Sequence, residues 1–196
     1  MTALPEALLN KYGIFNSRFI SCDAGHDGGA SYIYGNYGRV NNVTVIGCSA
    51  GNMAGAGYID GDRGRLSDST FINNSAARDA GAVMWTGMNG MLEGCRFINN
   101  TAKFGDSGAL YLKPADNVSV FDGISIVNRS TFINNSANFN GGAIYASGIF
   151  VVIHNSQFMG DLLQDKRTNR RNFVFIKINF HMIKAISYIW KSQTVW

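Results

Sequence analysis

STFINNSA stands at residues 69–76 and again, letter for letter, at 130–137, and CRFINNTA at 95–102 differs from both only by conservative exchanges. Recurrence at that fidelity makes spacing the first thing to read. Aligned on the aromatic of each segment, the chain gives Phe19, Val45, Phe71, Phe97, Phe132 and Phe158, with gaps of 26, 26, 26, 35 and 26 residues. A second block follows each: Gly29-Ala30, Gly55-Ala56, Gly81-Ala82, Gly108-Ala109 and Gly142-Ala143, ten residues behind the aromatic, or eleven in the fourth rung. Five residues before each aromatic stands an aliphatic: Ile14, Val40, Leu66, Leu92, Val127, Ile153. Each period therefore holds three short apolar segments separated by Gly, Asn and Ser. Segments too short to pack as helices, bounded by turn formers and repeated every 26 residues or so, describe one coil of a parallel β-helix.

In such a solenoid equal positions of successive repeats lie about 4.8 Å apart and form columns along the axis. The aromatic column must face inward, because no coil buries its own face alone. Two residues earlier, Ser17, Ser69, Cys95, Ser130 and Ser156 fall on the same inward side by alternation. Three residues after the aromatic come Cys22, Cys48, Asn74, Asn100 and Asn135. Three is an odd step, so the chain must kink between them, and Asn tolerates the left-handed conformation a kink requires. Stacked amides then bond from coil to coil and satisfy a buried polar corner. Ala24, Ala50, Ala76, Ala102 and Ala137 leave room as the chain turns. The expected architecture is all-β: a single-stranded parallel β-helix of about five to six coils over residues 1–164. Phe19, Phe71, Phe97, Phe132, Asn74, Asn100 and Asn135 are its structural ladder.

Composition agrees, with 46% hydrophobic residues, only 15% charged and 23 glycines, a balance for a packed core with many turns. The net charge of +4 is unevenly placed: residues 1–164 hold 10 Lys and Arg against 12 Asp and Glu, and residues 165–196 hold 7 against 1. A near-neutral body excludes nucleic acid as the expected partner. MTALPEALLNKYG at the start shows no secretion-signal pattern, and no apolar run is long enough to span a bilayer. The chain is thus expected to be either cytosolic or a piece of something longer. Three cysteines without CxxC make neither a zinc signature nor a disulfide framework.

FINN paired with GGA, as in FINNSANFNGGAIY at residues 132–145, resembles the repeats of adhesin-like surface proteins and of polymorphic outer-membrane proteins, where Phe-x-x-Asn and Gly-Gly-Ala-Ile recur. The resemblance covers about residues 14–160. It implies a right-handed parallel β-helix on a cell surface or secreted, with a role in attachment. The sequence departs from that pattern at Val45, which replaces Phe, and in coils two to four, since only Gly28-Gly29 and Gly141-Gly142 keep both glycines. No transport barrel or sorting signal is expected within residues 165–196.

The fourth coil carries nine extra residues, mostly in a loop at 113–123 with Lys113, Pro114 and Phe121. Insertions in solenoids project as loops, so these three residues are a candidate binding surface; a tolerated extension without function is the alternative. After Phe158 the pattern is expected to fail, MGDLLQDK taking the place of the ladder and no Gly-Ala block following. Residues 165–196, basic and apolar without glycine, are expected to cap the solenoid or to be loosely ordered, with an amphipathic membrane-surface piece as a further option.

Tyr32, Tyr58, Tyr111 and Tyr145, with Met84 between, form another column. With Val83, Leu110 and Ile144 inward, the rings point out and offer an aromatic strip for sugars or a partner, or else stack only to stabilise their sheet. Two positions before each Gly of the Gly-Ala pair stand Asp27, Met53, Asp79, Asp106 and Asn140. Aligned acids suit Ca²⁺ or acid–base work on polysaccharides, but Asp and Asn before glycine are ordinary turn residues that cap backbone. Asp60 and Asp62 lack the remaining oxygen ligands of a calcium loop. His26, His154 and His181 fall in unrelated columns with no nucleophile at a recognisable spacing. Cys22 and Cys48, one coil apart, are read as stacked thiols acting as small apolar groups, with a disulfide as the weaker reading. Six Asn-x-Ser/Thr sites, at Asn42, Asn73, Asn99, Asn117, Asn128 and Asn134, arise largely from the repeat itself. No catalytic, cofactor or metal-binding residue is expected. The functional expectation is a non-catalytic surface module that attaches to host or neighbouring cells through glycans or other proteins; the alternative is a carbohydrate-active β-helix enzyme, a polysaccharide lyase or hydrolase.

Overall fold

The computed structural model describes residues 12–115, 123–165, 170–172 and 176–179. Among them every regular element is a strand. The strands stack into four sheets of six, six, seven and six members, parallel throughout except for the last strand of the third, so the chain winds about six coils. Coil three shows the unit: Arg65–Ser67, Thr70–Ile72, Ser75–Ala76 and Val83–Thr86. Each coil thus has four strands where the apolar pattern suggested three segments. The additional one, two residues long with a single inward alanine, is too small to leave a hydrophobic signature of its own.

The columns align as the spacing requires. Phe19, Val45, Phe71, Phe97, Phe132 and Phe158 are register partners in the second sheet. Phe71, Phe97 and Phe132 stack with ring centroids 4.9 Å apart and are at most 3% exposed. Ile14 through Ile153 line the first sheet in the same way. Both columns face one core with Val83, Leu110 and Ile144 from the fourth sheet. The largest buried side chain, Trp85, lies in a further inward column between Ile59 and Leu112 and donates its indole N–H to the Gly61 carbonyl at 3.1 Å. The Gly64 and Gly90 positions lie against its ring, where a Cβ would come within 2.7 Å.

FINN divides its labour between its two asparagines. The first, Asn73, Asn99 or Asn134, is exposed and left-handed with φ of 55°, 55° and 53°; the kink is there. The second is buried and forms the ladder. Asn74 donates its backbone N–H and its Nδ2 to Asn100 Oδ1, both at 3.0 Å, and Nδ2 also reaches the Val45 carbonyl at 3.1 Å. Asn100 repeats this toward Asn135 and the Phe71 carbonyl. Asn100 Oδ1 thereby accepts two donors from the preceding coil, and its Nδ2 serves a carbonyl of that coil and the Oδ1 of the next. A second corner works with hydroxyls: Ser69 Oγ accepts from the Val43 N–H at 3.0 Å and donates to the Ser67 carbonyl at 2.7 Å.

The ladder, expected to fail after Phe158, continues for one more rung, although no Gly-Ala block follows. Asp161 occupies the ladder position, accepting at Oδ1 from the Asn135 backbone N–H at 2.8 Å and from its Nδ2 at 2.7 Å. Asp has the shape of Asn, so the backbone register survives a change that erases the sequence motif. Leu162–Asp165 then adds to the third sheet in parallel. Arg170–Asn172 pairs with it antiparallel, and Ile176–Asn179 completes the sixth coil beside Ile144–Ser147. These strands hold the described part of the segment beyond residue 164 against the last rung.

The Gly-Ala block is a close-approach site. A Cβ on Gly81 would stand 2.2 Å from the Gly108 carbonyl oxygen and 2.4 Å from the Thr101 nitrogen, both backbone. The residue before it is left-handed in all five coils that carry the block, whether Gly28 and Gly141 or Ala54, Ala80 and Ser107, with φ between 59° and 69°.

Candidate binding surfaces

The tyrosine column is in register, Tyr32 to Tyr58, Met84, Tyr111 and Tyr145. Its rings point away from the main core, and they stack: Tyr32 on Tyr58 at 4.8 Å and 9°, Tyr111 edge-on to Tyr145 at 4.8 Å. Exposure is uneven along it. Tyr32 is 52% exposed, whereas Tyr58, Met84 and Tyr145 are buried. The left-handed turn residues Ala54 and Ala80, with Met53, fold against Tyr58 and Met84 in a small satellite cluster, so the column offers an open ring only at its first coil and a partial one at Tyr111. Burial pushes the Tyr58 and Tyr111 hydroxyls up from their usual value.

Lys113 and Pro114 are half-buried where the fourth strand of coil four ends, so the column and the loop start share one sheet at Tyr111. Phe121 and Asn117 lie outside the described residues, as does His181.

The aspartates are inter-coil staples. Asp27 Oδ1 accepts from Asn52 Nδ2 at 2.9 Å and from the Met53 N–H at 3.0 Å. Asp79 Oδ1 accepts from the Asp106 N–H at 2.8 Å, and Asp106 Oδ1 from Asn140 Nδ2 at 2.7 Å. Asp60 accepts from the Thr86 hydroxyl and Asp62 from the Met88 N–H, each at 2.8 Å. Each carboxylate is committed to a neighbouring coil. Among the described residues no group of three His, Cys, Asp or Glu is placed to hold a metal.

All three cysteines are free thiols. Cys48 Sγ accepts from the Cys22 N–H at 3.3 Å, so the thiol column continues the ladder. Burial pushes the Cys95 thiol up to about 12. Asn42, Asn73, Asn99 and Asn134 of the Asn-x-Ser/Thr sites are exposed at left-handed corners, whereas Asn128 is half-buried and donates to Glu93.

One polar surface escaped the sequence reading. On the outward face of the first sheet, Glu93 bridges Arg65 at 2.8 Å and Arg129 at 2.9 Å. Just beside this triad an open bay of about 280 Å³ is lined by Phe15, Arg39, Asn41, Arg65, Ser67 and Asp68. The signal was present in Arg39 and Arg65, each one residue before an apolar column position and 26 apart.

No helix of the described residues is long and apolar enough to cross a membrane. No curated protein and no solved structure matches the chain. Residues 129–147, which hold the fifth coil's second corner, ladder Asn135 and Gly-Gly-Ala block, match the Chlamydia polymorphic membrane protein repeat, so this parallel β-solenoid carries a repeat of that type.

Proposed function

We propose that the chain is a non-catalytic, adhesin-like module of a cell surface, attaching to cells through glycans or proteins displayed on them. The observation that carries the reading is the polymorphic membrane protein repeat at residues 129–147, set within coils of the same geometry. The fold supports it: a rigid rod with one cross-section repeats its outward faces every 26 residues, and such a rod binds through several modest contacts whose avidity adds. Tyr32, Tyr111, Lys113 and Pro114 are the contact residues proposed on the fourth-sheet side, with Phe121, outside the described residues, proposed beside them from the sequence. The carboxylates that a lyase or hydrolase would bring to a polymer are those engaged between coils, Asp27, Asp79 and Asp106, which favours attachment over turnover.

Beads coated with the purified chain, incubated with cultured epithelial cells, test this. Saturable attachment, competed by soluble chain, is the expected result. Equal attachment by beads coated with an unrelated protein refutes it. Release of reducing or unsaturated ends from pectin or alginate, lost on Asp79→Ala with Asp106→Ala, moves the assignment to an enzyme.

A further inference from the structure

The bay on the first sheet contains a recognition geometry that the protein itself uses one coil away. Arg39 and Arg65 are register partners, like charges on parallel strands that lie about 4.8 Å apart. Such pairs oppose the sheet unless each finds a counter-charge. Arg65 finds one in Glu93, the residue two places along the strand and one coil further on. The same step from Arg39 leads to Ser67, whose hydroxyl is occupied by Asn41 Nδ2 at 2.8 Å. Among the described residues the Arg39 guanidinium has no hydrogen bond or ion pair. Where Arg65 meets the Glu93 carboxylate, Arg39 meets the open bay.

The other walls narrow the ligand. Phe15, half-buried, supplies an apolar ring on one side. Asp68, held by Asn41 Nδ2 at 3.2 Å on Oδ2, brings acceptor oxygens on the other. A carboxylate in the bay disfavours a compact, highly charged anion such as phosphate, and it favours a group with one acid function and several hydroxyls to donate. An apolar ring beside those polar groups suits the C–H face of a sugar.

We infer that this bay binds the carboxylate of an acidic saccharide, a uronate or a sialate, with Arg39 as its salt-bridge partner, Phe15 under the sugar face and Asp68 accepting from sugar hydroxyls. This deepens the attachment reading and rests on it for its biological setting.

Isothermal titration of the full chain with sialyllactose and with tetragalacturonate, and with lactose as the neutral counterpart, is the test. Binding of at least one acidic probe, with none of lactose, is expected. Arg39→Gln should weaken it by about tenfold or more, since a charge-assisted pair is lost. Ser67→Glu should do the same by placing an internal carboxylate before Arg39, with no loss of melting temperature, which separates blockage from misfolding. Affinity for the acidic sugars unchanged in both variants overturns the site, as does tighter binding of a sulfated, carboxylate-free oligosaccharide. Cell attachment that persists in Arg39→Gln with no acidic-sugar binding by the parent chain overturns the site and leaves the attachment reading standing; acidic-sugar binding without cell attachment does the reverse.

Discussion

Asn135 donates its Nδ2 to Oδ1 of Asp161 at 2.7 Å, while Oδ2 of the same carboxylate, in a residue with no exposed surface, meets no donor among the described residues. In the coils below, Nδ2 of Asn74, Asn100 and Asn135 points at the carbonyls of Val45, Phe71 and Phe97. At the sixth rung an acceptor stands where the ladder requires a donor.

Asp161→Asn should therefore stabilise the last coil by about 1–3 kcal/mol at neutral pH, the cost of an unsatisfied buried polar group. Burial raises the Asp161 pKa, with the Asn135 bonds opposing it less strongly. A carboxyl whose folded pKa is raised binds its proton more tightly in the native state. Stability is then greatest below the unfolded value of about 3.9 and falls as pH rises from there to the folded value. Hydrogen exchange of the sixth-coil amides across that window checks both statements. A parent chain as stable at pH 7 as at pH 4 in this coil, with no gain in the variant, would contradict them.

The two asparagines of one FINN should respond oppositely. Asn100→Ala strips acceptors and donors from Asn74 and the Phe71 carbonyl in a buried corner and should cost about 3 kcal/mol or more. Asn99→Gly, at φ 55° and exposed, should be neutral or slightly stabilising. Urea midpoints of the two variants decide it.

Gly81→Ala should disrupt the third rung, because its Cβ meets backbone at 2.2 Å and 2.4 Å and backbone cannot swing aside. Its neighbour behaves differently. Ala80→Gly relieves a left-handed alanine worth about 1–2 kcal/mol but removes a buried methyl worth about 0.8 kcal/mol, so the net change should stay within about 1 kcal/mol. Circular dichroism melts separate the pair.

Thiol labelling at pH 8 should proceed at Cys22 first, the half-buried thiol. Cys95, fully buried with its pKa near 12, carries almost no thiolate there and should label only after denaturation. Mass spectrometry of native and urea-treated samples reads the order; rapid native labelling of Cys95 contradicts the packing.

The columns were legible because a solenoid copies its cross-section into sequence, so Phe71, Phe97 and Phe132 announce their contact through spacing alone. What spacing does not encode is how neighbours cover one another. Tyr58 stands on an outward face as alternation requires, yet Ala54, Ala80 and Met53 pack over it, and no period reports such shielding. Trp85 was silent because no other coil repeats it in its column; its accommodation depends on Gly64 and Gly90, where a Cβ would meet its ring. Asp161 was missed for the opposite reason. It preserves the shape of Asn while changing the letter on which the motif rests. The bay at Arg39 arises from a difference between two coils, Ser67 against Glu93, and a search for sameness passes over it.

The Gly-Ala turn, which brings Gly81 against Gly108 and sets each ring directly on the next, has a consequence for how such a molecule varies. Since about 26 residues advance the stack by only about 4.8 Å and meet identical neighbours on both sides, one whole ring is the natural quantum of insertion or deletion. Reach from its point of origin becomes adjustable in fixed increments, leaving every surviving layer its old partners.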